Sequence, residues 1–247
     1  TWHAIFWVNP PLVVIAIIAT FALVPESRDP SKPRLDVMGA VLSSVGIIAF
    51  VVTVIELPDA GIGVLTISSS VTALVFLSAF VWWERRAPRP LLPMELFTNR
   101  LFTIAIITVA LVYGALMGVM FFLPQFLQLV QGDTPLESGL AMLPAAGGLF
   151  VTSLLSPRWA ERFGTRRVVV AGLVMVTGGL AWAASLTADS AYIHLGGSLG
   201  VIGLGLGMVL PQATNGVLAS VPRERAGMGS AVTDGVAELG GSLGVAV

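Results

Sequence analysis

The sequence predicts an all-α polytopic membrane protein with about eight transmembrane helices, on the evidence of its composition and its apolar runs. Of the 247 residues, 55% are hydrophobic and 11% are charged, whereas soluble domains contain about 25% charged residues. Each run is near the ~20 residues that a helix needs to cross a bilayer, and continuous runs favour helices over alternating β-strands. They occupy roughly 5–24, 37–57, 63–83, 102–131, 139–157, 168–187, 192–221 and 227–247.

The basic residues predict the direction of these crossings. All 13 Lys and Arg residues fall in the first, third, fifth and seventh gaps between the runs, and the charged residues of the other gaps are acidic. Short loops rich in Lys and Arg stay in the cytoplasm, which predicts a multi-pass protein of the cytoplasmic (inner) membrane. The basic residues are Arg28, Lys32, Arg34, Arg85, Arg86, Arg89, Arg100, Arg158, Arg162, Arg166, Arg167, Arg223 and Arg225, and the acidic ones are Asp59, Asp133, Glu137 and Asp189.

The first three helices are bounded by proline and acidic residues. The first helix is predicted to end at Val24, because three prolines in the polar run 25–34 prevent its continuation. Asp36 precedes the second apolar run, where a carboxylate can cap free backbone N–H groups. A tight turn at 58–61 makes the second and third helices an antiparallel hairpin. A second proline-rich connection, 87–100, then leads to five further helices.

Patterns in those five helices resemble the second half of a major facilitator superfamily transporter, in its 14-helix drug:proton antiporter branch. The segments that carry the resemblance are Asn99-Arg100-Leu101-Phe102, Phe121-Phe122-Leu123-Pro124-Gln125-Phe126-Leu127-Gln128, Ser138-Gly139-Leu140-Ala141-Met142-Leu143-Pro144, Gly203-Leu204-Gly205-Leu206-Gly207 and Glu238-Leu239-Gly240-Gly241. Upstream, Phe6-Trp7-Val8-Asn9-Pro10 resembles the sixth helix of that branch and Asp36-Val37-Met38-Gly39-Ala40 the seventh. The resemblance covers essentially the whole chain and implies a fragment comprising helices six to thirteen.

The resemblance implies three parts. Residues 1–34 are the last helix of an N-terminal bundle with a cytoplasmic linker, 35–100 are two inserted helices with a cytoplasmic connection, and 101–247 are a C-terminal bundle without its last helix. The implied activity is not enzymatic. It is proton-coupled efflux of amphipathic drugs or toxic compounds, cationic ones in particular, by alternating access across the cytoplasmic membrane of a bacterium.

The implied energy source is the proton gradient, with no cofactor. The implied partners are the small-molecule substrate, protons, the lipid bilayer and the missing N-terminal helices, and no nucleic acid. An exporter of an endogenous metabolite such as a siderophore, antibiotic or lipid is an alternative. An intramembrane enzyme or channel is disfavoured because its motifs are not found. The chain has no cysteine and two isolated histidines, so no metal site is predicted.

Asp234 and Glu238, in the last apolar run, are the predicted proton- or substrate-binding residues. Counted from Gly227 at ~1.5 Å per residue, they lie roughly 10 and 16 Å inside the bilayer, and their spacing puts both on one helix face. A charge at that depth costs about 2.5–3.5 kcal/mol, so it is expected to face the bundle interior or a wet cavity. Burial and a like-charged neighbour disfavour ionisation, which suits a carboxylate that exchanges protons near neutral pH. The alternatives are pairing with an absent helix or a shallower helix end.

The loop after the fifth apolar run resembles the family's cytoplasmic gating motif. Its segment Glu161-Arg162-Phe163-Gly164-Thr165-Arg166-Arg167 supplies the acid, the basic residues and the glycine of the turn. Pro157 and Thr165 depart from that motif, which leaves an ordinary basic loop as the alternative.

Other polar and small residues complete the candidate site. Gln125 and Gln128 sit toward the outer end of a helix about 30 residues long that Pro124 is expected to kink. Four amides could hydrogen-bond a substrate in the cavity: Gln125, Gln128, Gln212 and Asn215. Pairs of glycines four apart, at 196 and 200, 203 and 207, and 240 and 244, predict close helix approach and smooth sliding faces.

Overall fold

A computed structural model describes residues 3–23, 36–88, 90–187, 190–222 and 226–246. The chain divides into two compact units, residues 1–35 and 36–247. In the first unit the described element is helix α1, His3–Leu23, which contains Pro10 and Pro11. The linker at 25–34 and Arg89, Asp189, Arg223 and Arg225 lie outside the described residues, as does the side chain of Asp59. The three-part division predicted from sequence stays a prediction.

The described part of the second unit consists of helices joined by short turns and loops. Its long helices are α2 (Val37–Ala60), α3 (Val64–Glu84), α4 (Arg100–Gln125), α6 (Leu143–Phe163), α7 (Thr165–Ala183), α8 (Tyr192–Ala219) and α9 (Ala226–Ala246). Three short elements join them: a 3-10 helix (Met94–Thr98), a π-helix (Phe126–Val130) and helix α5 (Pro135–Ala141). The predicted all-α polytopic class is confirmed.

Six spans of the described chain are long and apolar enough to cross a membrane. They are Val37–Pro58, Val64–Glu84, Arg100–Val130, Pro135–Phe163, Thr165–Ala183 and Tyr192–Ala219. In the first unit, Asn9–Leu23 is a shorter apolar helix, and α9 is not among the six although it is 21 residues long. Helix α9 was predicted to cross the membrane. Its glycines and two carboxylates lower its mean hydropathy, which is why it is not among the six spans.

Helices α2 and α3 form the expected antiparallel hairpin. The Asp36 carboxylate accepts a hydrogen bond of 2.9 Å from the backbone N–H of Gly39, which confirms its capping role. Gly61 has a φ of +61°, a conformation that favours glycine at the turn. Thr53 donates to the Ser69 hydroxyl across the hairpin at 2.9 Å. The hairpin is therefore joined along its length as well as at its turn.

The fifth apolar run extends further than predicted. The helical span begins at Pro135, where Thr134 and Glu137 form a reciprocal capping box, and α6 continues past Pro157 to Phe163. The helix is interrupted at Met142, between α5 and α6. The long fourth run departs from regular α-helix near Pro124, where a kink was predicted: α4 passes there into the π-helix.

Helix α8 is the most buried element and packs against α4, α6 and α7. The close approach of α6 depends on glycine, since a Cβ at Gly203 would collide with the Ala145 carbonyl and one at Gly207 with that of Leu149. Two α6 hydroxyls also donate to α8 carbonyls at 2.8 Å: Thr152 to Leu204 and Ser156 to Met208. Leu199, Ile202, Leu206 and Val209 of α8 belong to the main core, together with residues of α4, α6 and α7.

The basic and acidic gaps are segregated to opposite ends of the second unit. Leu92 and Leu96 pack with Phe102 of α4, with Val217 near the end of α8 and with Val221 just after it, at the end that carries the described arginines. We call this the basic end. At the opposite end, a cavity of about 620 Å³ is lined by Gln131, Asp133, Glu137, Leu140, Ala141, Ser190, Tyr192 and Leu195. Which end faces the cytoplasm stays a prediction.

Candidate functional site

Helix α9, which carries the predicted acids, lies directly against α4. A Cβ at Gly240 would collide with the Ala110 carbonyl, and one at Gly244 with that of Gly114. This near-contact of two backbones follows from the small-residue spacing of α9. It brings the α4 side chains that follow Ala110 next to the face of α9 that includes Glu238.

Glu238 lines a cavity of about 350 Å³ between α2, α4 and α9, which we call the Glu238 chamber. Tyr113 and Ser242 supply hydroxyl groups, and the other lining side chains and backbone are apolar. The lining residues are Ile55, Tyr113, Met117, Ala237, Glu238, Gly241, Ser242 and Val245. The chamber therefore combines one carboxylate with an apolar wall. That combination can accept the charged and apolar parts of one amphipathic molecule.

Asp234 lies one helical turn nearer the basic end. Both carboxylates are exposed in the described structure, and Asp234 does not line the chamber. Among the described residues, neither has a hydrogen-bond or ion-pair partner, so both are free to bind a proton or a cation. The predicted pair thus shares a helix, and Glu238 lines the chamber whereas Asp234 does not.

The four candidate amides do not converge on this chamber. Gln212 is 6% exposed and donates to Ser156 at 3.0 Å, so it cross-links α8 to α6. Asn215 is exposed on α8. Gln125 and Gln128 are exposed far along α4 and its π-helical extension, and the Gln125 amide donates to the Phe121 carbonyl of its own helix at 3.0 Å. Their roles in substrate binding stay predictions.

The predicted gating loop is a tight turn at the basic end. Gly164 has a φ of +88° and is the single residue between α6 and α7. The side chains of Glu161, Arg166 and Arg167 are exposed, and the Arg162 guanidinium lies 5.4 Å from the Phe163 ring centroid. The turn geometry predicted for the glycine is confirmed, and the gating role stays a prediction.

Three residues, Ile55, Tyr113 and Glu84, were not predicted from the sequence. Ile55 and Tyr113 line the Glu238 chamber, and nothing in their local sequence separates them from ordinary apolar helix residues. A buried acid, Glu84, follows Trp82 and Trp83 at the end of an apolar run; an acid among interfacial tryptophans and arginines is a signal that could have been noticed. The described residues contain no group of three or more His, Asp or Glu that could hold a metal ion.

The long apolar helices define a polytopic membrane protein, and comparison with known proteins identifies its family. The Major Facilitator Superfamily model matches residues 1–245, so the chain belongs to that family. It is 35% identical to the multidrug resistance protein Stp of Mycobacterium tuberculosis, over 100% of this chain and 46% of that protein.

Two further relatives are similarly related. The chain is 30% identical to the tetracenomycin C resistance and export protein of Streptomyces glaucescens, over 100% of this chain and 46% of the relative. It is 31% identical to the multidrug efflux pump LfrA of Mycolicibacterium smegmatis, over 99% of this chain and 49% of the relative. The chain thus spans about half the length of these curated relatives. Its spans and bacterial relatives indicate a bacterial multi-pass membrane protein.

Proposed function

We propose that the whole protein exports amphipathic, cationic drugs or toxic compounds across the cytoplasmic membrane in exchange for protons, by alternating access. The observation that carries the proposal is the position of Glu238, a carboxylate in a chamber between apolar helices. The relatives that are named as multidrug resistance or efflux proteins support drug export in general. Proton coupling and preference for cations rest on the carboxylate.

The proposed coupling is competition for one site. A Glu238 carboxylate that holds a proton is neutral and has no charge with which to attract a cation. An ionised Glu238 carries a negative charge that attracts a cation. One carboxylate can therefore hold a proton or a cationic substrate in turn, which is the minimum that exchange of the two requires. Ile55, Met117 and Val245 would contact the apolar part of the substrate.

Asp234 is proposed as a second acid on the path between the chamber and the basic end. It lies on the same helix face one turn away, at a spacing typical of neighbouring side chains. In this arrangement it would pass protons or attract cations without contacting the apolar wall. Its neutralisation should therefore have a smaller effect than that of Glu238.

The test is dye efflux by the whole transporter with Glu238→Gln, which keeps the shape of the side chain but removes its charge. In inverted vesicles with an imposed pH gradient, Glu238→Gln should abolish uptake of a monovalent cationic dye and Asp234→Asn should reduce it. Glu95→Gln is the matched control, because Glu95 is an exposed acid remote from the chamber. Parental rates in Glu238→Gln, Asp234→Asn and the double variant, at equal expression, would refute the proposal.

Export of an endogenous metabolite such as a siderophore, antibiotic or lipid is the second candidate. Two relatives favour it by name: the tetracenomycin C resistance and export protein and the puromycin resistance protein pur8 of Streptomyces alboniger, which is 30% identical over 100% of this chain and 50% of the relative. Equal loss of neutral and cationic substrates in Glu238→Gln would assign the carboxylate to proton coupling alone. Selective loss of cations would assign it to charge recognition.

A further inference from the structure

Glu84, the last residue of α3, is a buried acid whose partners are backbone groups. Its side chain is 3% exposed, and its two carboxylate oxygens accept hydrogen bonds from consecutive N–H groups, Leu91 at 3.2 Å and Leu92 at 3.1 Å. The connection after α3 thus folds back onto the end of the helix that it follows. The carboxylate is the group that holds it there.

A second carboxylate joins the start of α2 to the same cluster. The Trp83 indole N–H donates to both oxygens of Asp36 at 3.0 Å. A Cβ added to Gly39 would lie 2.8 Å from Asp36 Oδ2 and 2.9 Å from Glu84 Oε1, so the two carboxylates flank this glycine. We call Asp36, Trp83 and Glu84 the carboxylate clamp. It ties together both helices of the hairpin and the connection to α4.

The segment held by the clamp is also packed on the bundle. Leu92 and Leu96 contact the core cluster around Phe102 at the start of α4. The Phe97 and Phe102 rings meet edge to face with centroids 5.4 Å apart. The hydrogen bonds that Glu84 accepts from Leu91 and Leu92 therefore also hold the hairpin in place relative to the start of α4.

The far part of the same hairpin reaches the candidate site. Helix α2 contacts α9, and Ile55 lines the Glu238 chamber. Near Ile55, the Thr53–Ser69 hydrogen bond joins α2 to α3. The hairpin is thus a continuous link between the clamp and the apolar wall of the chamber.

We propose that Glu84 is a positioning residue for substrate binding: by fixing the α2–α3 hairpin to the start of α4, it holds Ile55 in the wall of the Glu238 chamber. The proposal rests on the proposed transport function. An apolar residue in place of Glu84 would leave the Leu91 and Leu92 N–H groups without an acceptor, at a cost in stability. The two directed hydrogen bonds to consecutive N–H groups specify one position of the hairpin.

The test is a double-mutant cycle between Glu84→Ala and Ile55→Ala in the whole transporter. Each single variant should raise the half-saturating concentration of a cationic dye, about threefold for Ile55→Ala because apolar contact with the dye is lost. Glu84→Ala should raise it by a similar factor, and the double variant no further, because Ile55 has already left the wall. The maximal efflux rate of Glu84→Ala should stay within about twofold of the parent.

Hydrogen exchange measures the clamp independently of transport. The amides of the segment 90–98 should exchange about tenfold faster in Glu84→Ala, since the Leu91 and Leu92 N–H groups lose their acceptor. Glu84→Gln keeps one carbonyl oxygen, so it should lie between the parent and Glu84→Ala in both exchange and half-saturating concentration. Glu95→Ala, at an exposed acid of the same connection, should match the parent in both.

Several results would overturn the positioning role. If the double variant raises the half-saturating concentration by the product of the two single factors, Glu84 and Ile55 act separately. Faster exchange with an unchanged half-saturating concentration would make the clamp structural only. If Glu84→Ala does not fold, Glu84→Gln and Trp83→Phe supply the same comparison with smaller changes of shape. A parent protein that exports no dye would refute the proposed function and the positioning role with it, whereas unchanged exchange in Glu84→Ala would refute the clamp alone.

Discussion

Helices α6 and α8 approach each other as closely as α4 and α9, but the two contacts differ in what else joins them. In both, two glycines four residues apart face backbone carbonyls: Gly203 and Gly207 in the first pair, Gly240 and Gly244 in the second. The first pair is also cross-linked by three side-chain hydrogen bonds. In the described part of α9, the Thr233 hydroxyl bonds within its own helix, to the Gly229 carbonyl.

This difference shows that two helices can pack closely without being held rigidly. Small residues let two backbones touch, but van der Waals contact between smooth surfaces does not fix their register. Directed hydrogen bonds from Thr152, Ser156 and Gln212 do fix it. We infer that α6–α8 is a fixed pair and that α4–α9, which carries the Glu238 chamber, is the contact that can slide during alternating access.

The largest effect is expected from locking the sliding pair with a disulfide. A Cβ at Gly241 would lie 3.5 Å from the Met117 Cβ, within the range for a disulfide. The described chain segment has no cysteine of its own. Oxidised Met117→Cys/Gly241→Cys should therefore lose nearly all the efflux of its own reduced form, which is the reference because Met117 also lines the chamber. The measurement is dye efflux before and after a reducing agent, in a whole transporter free of other cysteines.

The fixed pair offers a matched control for that disulfide. A Cβ at Gly200 would lie 3.8 Å from the Pro144 Cβ, across α6 and α8. Oxidised Pro144→Cys/Gly200→Cys should keep the efflux rate of its reduced form, because no motion of this pair is needed. Equal inhibition by both disulfides would remove the distinction between the two contacts.

Glycine-to-alanine substitutions test the same contrast between the α4–α9 and α6–α8 contacts with a smaller change, one methyl group. Gly244→Ala and Gly203→Ala should each lower stability by about 1–3 kcal/mol, since each methyl would collide with a facing carbonyl. Thermal unfolding would measure that loss, and Gly235→Ala is the control because a Cβ there meets nothing within 4 Å. Only Gly244→Ala should also slow efflux per folded molecule. A slowed Gly203→Ala would argue that α6–α8 moves too.

Removing a cross-link from the fixed pair should cost stability but not coupling. Ser156→Ala deletes the donor to the Met208 carbonyl and the acceptor of Gln212, so we expect a loss near the upper measured value for membrane hydrogen bonds, about 1.7 kcal/mol. The pH-gradient dependence of efflux should be unchanged. A shifted dependence would place Ser156 or Gln212 in the transport path, as the sequence analysis expected for Gln212.

The smallest effect is expected at Thr152. Thr152→Val keeps the volume but removes the hydroxyl shared between the Gly148 and Leu204 carbonyls. The loss of stability should be near the average for membrane hydrogen bonds, about 0.6 kcal/mol. Thermal unfolding of the purified protein would measure it. A loss as large as that of Ser156→Ala would show that α6–α8 depends on this hydroxyl as much as on the Ser156–Gln212 pair.

Features encoded in local sequence were predicted well. The helical class, the hairpin, the Asp36 cap, the turn at Gly164 and the departure from α-helix near Pro124 each follow from hydropathy, capping or proline chemistry within a few residues. The family was also identified, because its motifs are short and ordered. These are properties that neighbouring residues determine without tertiary contacts.

Features that depend on which helices meet were not predictable. Gln212 was expected in a cavity and lies buried against Ser156, 56 positions away in the chain. Ile55 and Tyr113 reach the Glu238 chamber only because α2 and α4 both pack on α9. Glu84 needs the backbone of a connection that folds back on it. Periodicity identifies a buried face of a helix but not the partner that covers it.

The polarity of α9 has a consequence for the biogenesis of the protein. As a helix with two carboxylates and many glycines, α9 is not apolar enough to count among the six spans. Its partition into lipid on its own is unfavourable, whereas α4 is strongly apolar and is synthesised earlier. The glycine faces of α9 can pack on α4 as it leaves the translocon. The carboxylates that we propose for transport therefore impose an order of assembly, in which α4 must be in the membrane before α9 can enter it.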